Sequence, residues 1–260
     1  MNALDISKKA IYQQADTDMG RHIAMADNYT LREKVALTCR MLANDGHGGS
    51  LAGQITVRGE DPKTFWTQRF GLGLEEVTKS SLVLVDSDLN VLEGDGMANP
   101  ANRFHMWIYR ARPEVNCIIH THPFWCSALS MLEEPLVISH MDTTWLYEDC
   151  AFLGSWPGVP FGDEEGRIIS EALGEKRAVL LSHHGQLVAS ESLEQSAVLA
   201  MAIEKAAKLH MAARAVGTIQ PIDPAMGREA HEFRLKPRSY QSYFSYYVRK
   251  TIKTDADCLK

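Results

Sequence analysis

The sequence contains few cysteines, and their arrangement excludes two kinds of site. The five cysteines are odd in number, and no two of them are spaced as CxxC. A disulfide framework and a cysteine-based metal site both need paired cysteines, so neither is expected. We therefore predict a protein of a reducing compartment, the cytoplasm.

The sequence also lacks the features of membrane, secreted and nucleic-acid-binding proteins. No run of about 18 apolar residues occurs, and the N-terminus has no apolar core like that of a signal peptide. The net charge is -6, and no stretch combines dense lysine and arginine with aromatic residues. GxSxG, P-loop and Rossmann motifs are absent as well, so a serine nucleophile of the hydrolase type and a nucleotide-binding loop are not expected. The expected partner is a small molecule.

The remaining pattern alternates short apolar strands with amphipathic helices. Helices are predicted over 31–43 and 192–216, and strands over 115–120 and 178–182. No internal repeat or linker interrupts this pattern, and 45% hydrophobic content can fill one core. Strands and helices mixed without regular βαβ order predict a layered α/β domain with a mixed sheet. Five aromatic residues in 238–249 are expected to pack against the body or a neighbouring subunit.

Two histidines stand at the end of an apolar strand, where residues 118–123 read IIHTHP. His120 and His122 are spaced by two, so an extended chain places both imidazoles on one face. Neutral imidazoles at this spacing can converge on one ion such as zinc, manganese or iron. The pair therefore predicts part of a metal site.

A second apolar strand also ends in histidines, because residues 178–185 read AVLLSHHG. Two strands that end in histidine suit a three-histidine site with open positions for substrate or water. Neighbours on a strand point to opposite faces, so only one of His183 and His184 should be a ligand. The other is expected to make supporting hydrogen bonds. His47, in a glycine-rich loop, either borders a substrate or belongs to a flexible turn.

The order and spacing of these motifs resemble the class II aldolase/adducin family, which includes fuculose-phosphate aldolase and ribulose-phosphate 4-epimerase. The similar region runs from about residue 31 to residue 217. Its matching segments are 51–58 (LAGQITVR), 71–86 (GLGLEEVTKSSLVLVD), 103–106 (RFHM), 109–115 (YRARPEV), 120–122 (HTH) and 181–185 (LSHHG).

The resemblance implies a three-layer α/β/α fold with a central mixed, largely antiparallel sheet. Residues 1–260 would form a single domain with an N-terminal helical extension and an aromatic C-terminal tail. The resemblance also implies that His120, His122 and His184 hold one divalent metal ion per subunit, near a subunit interface of a homotetramer. Zinc or manganese is expected, and cobalt or iron would also accept imidazole.

One departure from the family concerns its catalytic base. In the sugar-phosphate aldolases, a glutamate just before the segment that matches Arg103-Phe-His is both a neighbour of the metal and the proton-abstracting base. The corresponding position here is Ala101. Because alanine cannot exchange a proton, the usual enediolate mechanism loses its base.

A second departure concerns the phosphate pocket. The sugar-phosphate enzymes use small hydroxyl and amide side chains in three loops. This chain has Leu51 and Gln54, then Arg69 and Phe70, then Asn99 and Pro100. The larger side chains disfavour a phosphate ester, whereas Arg69 could hold a carboxylate with two hydrogen bonds or form a surface ion pair.

Both departures favour the decarboxylases of the family, which act on hydroxylated aromatic or pyridine dicarboxylic acids. We predict a metal-dependent carbon–carbon lyase of this type. Its carboxylated substrate would contact Arg69, Gln54, Phe70 and Asn99. The proton donor to the ring would be His47, His183 or a metal-bound water. Two alternatives remain: retro-aldol cleavage of a non-phosphorylated hydroxy-keto acid, and a non-catalytic interaction module like the adducin head.

Overall fold

The computed structural model describes residues 7–22, 25, 28–159 and 162–260. Eight α-helices occur within this described part. They are α1 (Lys8–His22), α2 (Leu31–Leu42), α3 (Asn102–Ala111), α4 (Phe124–Ser130), α5 (Asp163–Leu173), α6 (Leu193–Arg214), α7 (Pro224–Arg234) and α8 (Pro237–Asp255). The predicted helices over 31–43 and 192–216 correspond to α2 and α6, each slightly shorter than expected.

The strands form one sheet. They are β1 (Gly53–Arg58), β2 (Phe65–Gln68), β3 (Leu82–Val85), β4 (Val91–Glu93), β5 (Cys117–Thr121), β6 (Cys150–Leu153), β7 (Ala178–Leu181) and β8 (Gln186–Ser190). Their order is β4-β3-β2-β1-β5-β8-β7-β6. All neighbouring pairs are antiparallel except β6 and β7, which are parallel. The predicted mixed, largely antiparallel sheet is confirmed.

Helices cover both faces of this sheet. Helices α2 and α6 pack against one face, with α8 packed on these two helices, and α3 and α5 pack against the other face. Two separate apolar clusters result. Alternate side chains of the central strand β5 enter different clusters: Ile119 lies in the first and Ile118 in the second. A strand buried on both faces is typically a continuous apolar run, and β5 is apolar from Cys117 to Ile119 before it ends in His120 and Thr121. The three-layer α/β/α architecture is therefore confirmed.

The end of α2 determines where His47 lies. The helix begins with a capping box, in which the Thr30 hydroxyl accepts the Glu33 N–H and the Glu33 carboxylate accepts the Thr30 N–H. A single π-helical turn, Ala43–His47, continues it. Within that turn Gly46 has a φ of 90°, which glycine adopts without strain. The turn thus redirects the chain and buries His47.

The aromatic C-terminal segment belongs to α8. Phe244 and Val248 are buried in the cluster shared with α2 and α6, whereas Tyr243 and Tyr246 are exposed. Of the two predicted alternatives, the segment therefore packs against the body of the domain. None of the described helices is long and apolar enough to cross a membrane.

Candidate metal centre

Three histidines converge where β5 ends beside the β7–β8 turn. The ring centroids of His120, His122 and His184 lie 4.5 to 4.7 Å apart. One nitrogen from each imidazole lies within 4.8 Å of the others. Among the described residues, no carboxylate joins this group of candidate ligands. The structure thus brings together the three histidines that the sequence predicted, and their role as ligands stays a prediction.

The local sequence explains why these rings meet. His120 is in β5 and His122 follows directly after the strand, so both lie on the same edge of the sheet. His184 comes from the turn between β7 and β8, in which His183 adopts a φ of 53°. Gly185 packs tightly here, because a Cβ on it would lie 2.5 Å from the Thr121 carbonyl oxygen and 2.7 Å from Cδ2 of His122. Only glycine lets this turn come close enough.

A hydrogen bond sets the tautomer of His120. Its Nδ1–H donates to the Gln186 carbonyl oxygen at 2.8 Å, which leaves the Nε2 lone pair free. That Nε2 lies 2.9 Å from Nε2 of His122. At this separation the two nitrogens can be ligands of one ion. The donor set therefore fits one divalent ion.

Burial keeps these imidazoles in the neutral form that binds metals. It lowers the pKa of His184 to about 4, and it lowers the pKa of His120 well below its ordinary value. The neighbouring histidines lower both pKa values further, because a second positive charge nearby would be unfavourable. The pKa of His122 is lowered by burial as well. Neutral imidazoles present the lone pairs that metal coordination requires.

Ala101, which the resemblance places at the position of the aldolase base, lies directly before α3. It is buried within the apolar cluster between the sheet and α3 and α5. The next residue, Asn102, is also buried and donates to the Thr67 hydroxyl, while its own Oδ1 has no hydrogen-bond partner among the described residues. The position therefore supplies no carboxylate, as the sequence indicated.

Two of the four predicted substrate-binding residues are buried near the histidines or near Ala101. Gln54 lies directly opposite His120 in the β1–β5 ladder, and its side-chain Oε1 has no hydrogen-bond partner within the described part of the chain. The Oδ1 of Asn99 accepts the N–H of Ala101 at 2.9 Å. Asn99 thus holds the start of α3, whereas Gln54 has a buried, unpaired carbonyl oxygen.

The other two predicted substrate-binding residues lie in an exposed loop. The Arg69 side chain is 41% exposed, and its guanidinium lies 3.7 Å from the carboxylate of Asp95. Phe70 is exposed as well, and its N–H donates to the carbonyl oxygen of Met97. An isolated bridge joins Arg69 to Ala98. The two loops are therefore linked, and Arg69 remains accessible to a ligand.

His47 and His183, the predicted proton donors, lie apart from the histidine cluster. His47 is buried against the opposite face of β5, where its Nδ1 lies 2.8 Å from the Thr121 hydroxyl. Nε2 of His183 pairs with the Glu133 carboxylate at 2.7 Å on the surface. The structure does not show either imidazole beside the three candidate ligands.

Sequence reasoning missed Thr121 and Gln186. Gln186 supplies the carbonyl oxygen that accepts from His120, and its side-chain amide donates to the Thr121 hydroxyl at 2.8 Å. The signal was present in the strand periodicity. A polar residue between two histidines must face away from them, toward a partner on the other side of the sheet.

Comparisons with known proteins agree with this geometry. Residues 33–211, more than half of the chain, match the family described as Class II Aldolase and Adducin N-terminal domain. An L-fuculose phosphate aldolase of Escherichia coli O6:H1 is 30% identical over 197 residues, 74% of this chain and 87% of that protein. The solved structure of an L-fuculose 1-phosphate aldolase from Glaciozyma antarctica PI12 is similar, with a TM-score of 0.80 and 29% identity. The match covers 88% of this chain and 91% of the aldolase chain.

Two similar proteins carry other names. Decarboxylase NovR of Streptomyces niveus is 27% identical over 246 residues, 90% of this chain and 91% of that protein. A 4-hydroxy-3-prenylphenylpyruvate oxygenase/4-hydroxy-3-prenylbenzoate synthase of Streptomyces roseochromogenus is 28% identical over 229 residues, 85% of this chain and 83% of that protein. Since both aldolase-named and decarboxylase-named proteins match, the prediction of a carbon–carbon lyase is confirmed at that level.

Proposed function

The chain belongs to the class II aldolase/adducin family, and on that premise we propose that it decarboxylates a hydroxylated aromatic or heteroaromatic acid with the help of one divalent metal ion. The observation that carries this proposal is the complete histidine triad without an accompanying carboxylate. A retro-aldol enzyme of the family needs a base at the position of Ala101. Loss of carbon dioxide needs no base to remove a C–H proton, so the site remains competent for it.

The similar proteins support this choice over phosphate-ester chemistry. Alignments with the decarboxylase-named and prenylbenzoate-synthase-named proteins extend over 90% and 85% of the chain. Two aldolase-named proteins align over 74% and 88% of the chain, so the names, rather than the extent of the alignments, support decarboxylation. The name of NovR refers to decarboxylation, and the name of the prenylbenzoate synthase refers to an oxygenase of a hydroxylated phenylpyruvate that forms a hydroxylated benzoate. Both the phenylpyruvate and the benzoate carry a ring hydroxyl and a carboxylate, so these names support a hydroxylated aromatic acid as the substrate of this chain.

His120, His122 and His184 would hold the ion, which we expect to be zinc or manganese, with cobalt or iron as alternatives. When bound, the ion would act as a Lewis acid toward the negative charge that develops as carbon dioxide leaves. The fixed Nδ1–H of His120 keeps its Nε2 directed toward the other two rings. The protein thus supplies a preformed, neutral donor set.

Four further side chains would bind the substrate. The exposed guanidinium of Arg69 can exchange its long contact with Asp95 for a bidentate carboxylate. The free Oε1 of Gln54 can accept a hydrogen bond from a ring hydroxyl. The exposed ring of Phe70 can stack on a flat substrate, and Asn99 would hold the adjoining loop.

The proton that replaces carbon dioxide on the ring would come from His183 or from water. The imidazole of His183 is exposed and paired with Glu133, so bulk water can return its proton. His47 is the less suitable donor, because it is buried on the far face of β5 and burial lowers its pKa to about 3. An imidazole of such low basicity is neutral at neutral pH.

The experiment is a substrate panel for the metal-loaded protein. Ortho-hydroxy aromatic acids, their meta isomers and their O-methyl ethers are compared by release of carbon dioxide, with and without oxygen. We expect release from ortho-hydroxy acids and little from the ethers, which lack an ionisable hydroxyl. Variant His184→Ala should be inactive, whereas His22→Ala, at the exposed end of α1, should match the wild type. Equal release from ethers and parent acids would contradict the proposal.

Retro-aldol cleavage is the second candidate, because an aldolase-named protein is 30% identical to this chain. Water or a residue from a neighbouring subunit would then replace the missing base, and pyruvate would appear from hydroxy-keto acids without carbon dioxide. The adducin-like module is disfavoured by the complete triad. Substoichiometric metal that is unchanged in His120→Ala would support the module instead.

We also propose a cytoplasmic homotetramer. Large apolar side chains are exposed at both ends of α4, which begins two residues after His122: Phe124 is 70% exposed and Met131 is 67% exposed. Such side chains commonly mark a protein interface. Light scattering of the purified protein should give four times the chain mass, and a monomer would refute this part of the proposal.

A further inference from the structure

A buried polar cluster lies on the face of β5 opposite the histidine triad. It consists of Thr121, His47 and Gln186, which we call the Thr121 cluster. Thr121 is the residue between His120 and His122, and it pairs with Gln186 across the β5–β8 ladder. All three members of the cluster are buried. The cluster therefore contacts the ligand-bearing segment from behind, without facing the ion.

The hydrogen bonds of this cluster converge on one hydroxyl. The side-chain amide of Gln186 donates to Thr121 Oγ1 at 2.8 Å. Nδ1 of His47 lies 2.8 Å from the same Oγ1, so either the hydroxyl donates to a lone pair or an Nδ1–H donates to the hydroxyl. In both tautomers the hydroxyl holds two partners at once. Its removal would take the 2.8 Å partner from both side chains and leave them only the 3.5 Å contact between Gln186 Nε2 and His47 Nδ1.

Gln186 connects this cluster to a candidate ligand. Its backbone carbonyl oxygen accepts the Nδ1–H of His120, and its side chain reaches through to Thr121 on the other face. One residue thus fixes the ring of His120 and is itself fixed by the hydroxyl next to it. Loss of the Thr121 hydrogen bonds would therefore make two parts of the site less fixed. They are the backbone between His120 and His122, and Gln186, which orients His120.

His47 completes the cluster from a different element. It ends the π-helical turn after α2, which Gly46 redirects with its φ of 90°. Since burial holds the imidazole neutral, its contact with Thr121 does not depend on pH near neutrality. The sequence suggested a catalytic or substrate-bordering role for His47, whereas its position indicates a structural link to the metal-binding segment.

We propose that His47, Thr121 and Gln186 are positioning residues that set the affinity and geometry of the metal site from the far side of the sheet. The inference rests on the proposed function only in requiring that His120, His122 and His184 bind a divalent ion. Residues that orient metal ligands typically change metal affinity by about 10- to 100-fold when they are replaced.

The test compares two substitutions of Thr121 that differ by the hydroxyl. Thr121→Val keeps the branched shape and removes the hydrogen bonds, whereas Thr121→Ser keeps the hydroxyl. The dissociation constant for Co²⁺ is measured by chelator competition, together with the visible absorption spectrum of the bound ion. We expect a dissociation constant about 10- to 100-fold higher and an altered spectrum for Thr121→Val. Thr121→Ser should stay within about threefold of the wild type.

A matched control separates this effect from the general loss of a buried hydroxyl. Thr38 in α2 is equally buried, and its hydroxyl has no hydrogen-bond partner in the described structure. Thr38→Val should leave the Co²⁺ affinity and spectrum unchanged. If Thr121→Val does not fold, as judged by circular dichroism, His47→Gln and Gln186→Leu provide the same comparison from the partner side.

The possible outcomes distinguish the two levels of the argument. If the wild type binds one Co²⁺ per chain and Thr121→Val binds it with wild-type affinity and spectrum, the positioning role is wrong and the metal site stands. If Thr38→Val weakens binding as much as Thr121→Val does, the positioning role is also wrong. If the wild type binds no Co²⁺, the proposed metal function fails, and the inference fails with it.

Discussion

Gly185 offers a sharp test of how the site is built, because its replacement by alanine has a calculable steric effect. The added Cβ would lie 2.5 Å from the carbonyl oxygen of Thr121, whereas ordinary contacts begin at 3.4 Å. A gap of 0.9 Å, the difference between these distances, must therefore open between the β7–β8 turn and β5. The same Cβ would lie 2.7 Å from Cδ2 of His122, so this ring must also move.

Both obstacles are rigid parts of the structure. The Thr121 oxygen is backbone in the central strand, and Gly185 itself is not among the glycines with positive φ, so the penalty is steric. Overpacking of this kind costs about 1–3 kcal/mol. For a chain of this size, about 2–4 °C of melting temperature is lost per kcal/mol, which gives a decrease of roughly 2–12 °C.

The assay is thermal unfolding of metal-free and metal-loaded protein, followed by circular dichroism. Metal binding stabilises the folded state by mass action, so the displacement of His122 should reduce the metal-induced rise in melting temperature as well. Gly217→Ala is the matched control, since a Cβ there meets no atom within 4 Å. If Gly185→Ala and Gly217→Ala have the same melting temperature and the same rise on metal binding, the proposed tight packing of Gly185 against Thr121 and His122 is wrong.

Three further outcomes are expected. A chelator should abolish activity, and zinc or manganese should restore it in the wild type. After the same treatment, the activity of His184→Ala should remain at least about 100-fold below that of the wild type. Arg69→Met should raise KM for a carboxylated substrate more than it lowers kcat, because a lost bidentate contact weakens binding; an unchanged KM argues against this contact. Burial lowers the pKa of His47, and of His105 in α3, to about 3, so both imidazoles bind a proton more readily in the unfolded chain than in the folded one. The free energy of unfolding should therefore be constant above about pH 6.5 and fall as the pH drops toward 3, by up to about 1.4 kcal/mol per pH unit for each histidine. Urea titrations at about pH 7 and pH 5 measure this difference, and equal free energies at the two pH values would contradict it.

Much of the architecture could be predicted from the sequence because its signals are local or strictly periodic. The apolar runs of β5 and β7 predicted two buried strands. Histidines at or just after the ends of these strands meet at the same edge of the sheet. The resemblance to the class II aldolase/adducin family selected His184 over its neighbour. In the structure His184 lies with His120 and His122, whereas His183 pairs with Glu133, and the role of His184 as a ligand stays a prediction.

The position of His47 could not be predicted, because it depends on a π-helical turn that no simple pattern identifies. The glycine-rich loop indicated either a residue that borders a substrate or a flexible turn, yet the π-helical turn buries the imidazole on the other side of β5. The partnership of Gln186 with Thr121 was equally hidden. It requires the register between β5 and β8, which only the folded sheet defines.

The central claim is that the histidine triad supports loss of carbon dioxide from a hydroxy-acid. The most direct measurement is single-turnover release of labelled carbon dioxide from a carboxyl-labelled ortho-hydroxy aromatic acid, with wild type and His120→Ala prepared with the same metal. The account predicts labelled gas from the wild type alone, in proportion to bound metal. Labelled gas from both proteins in equal amounts, or pyruvate from hydroxy-keto acids with no labelled gas from either, would contradict it.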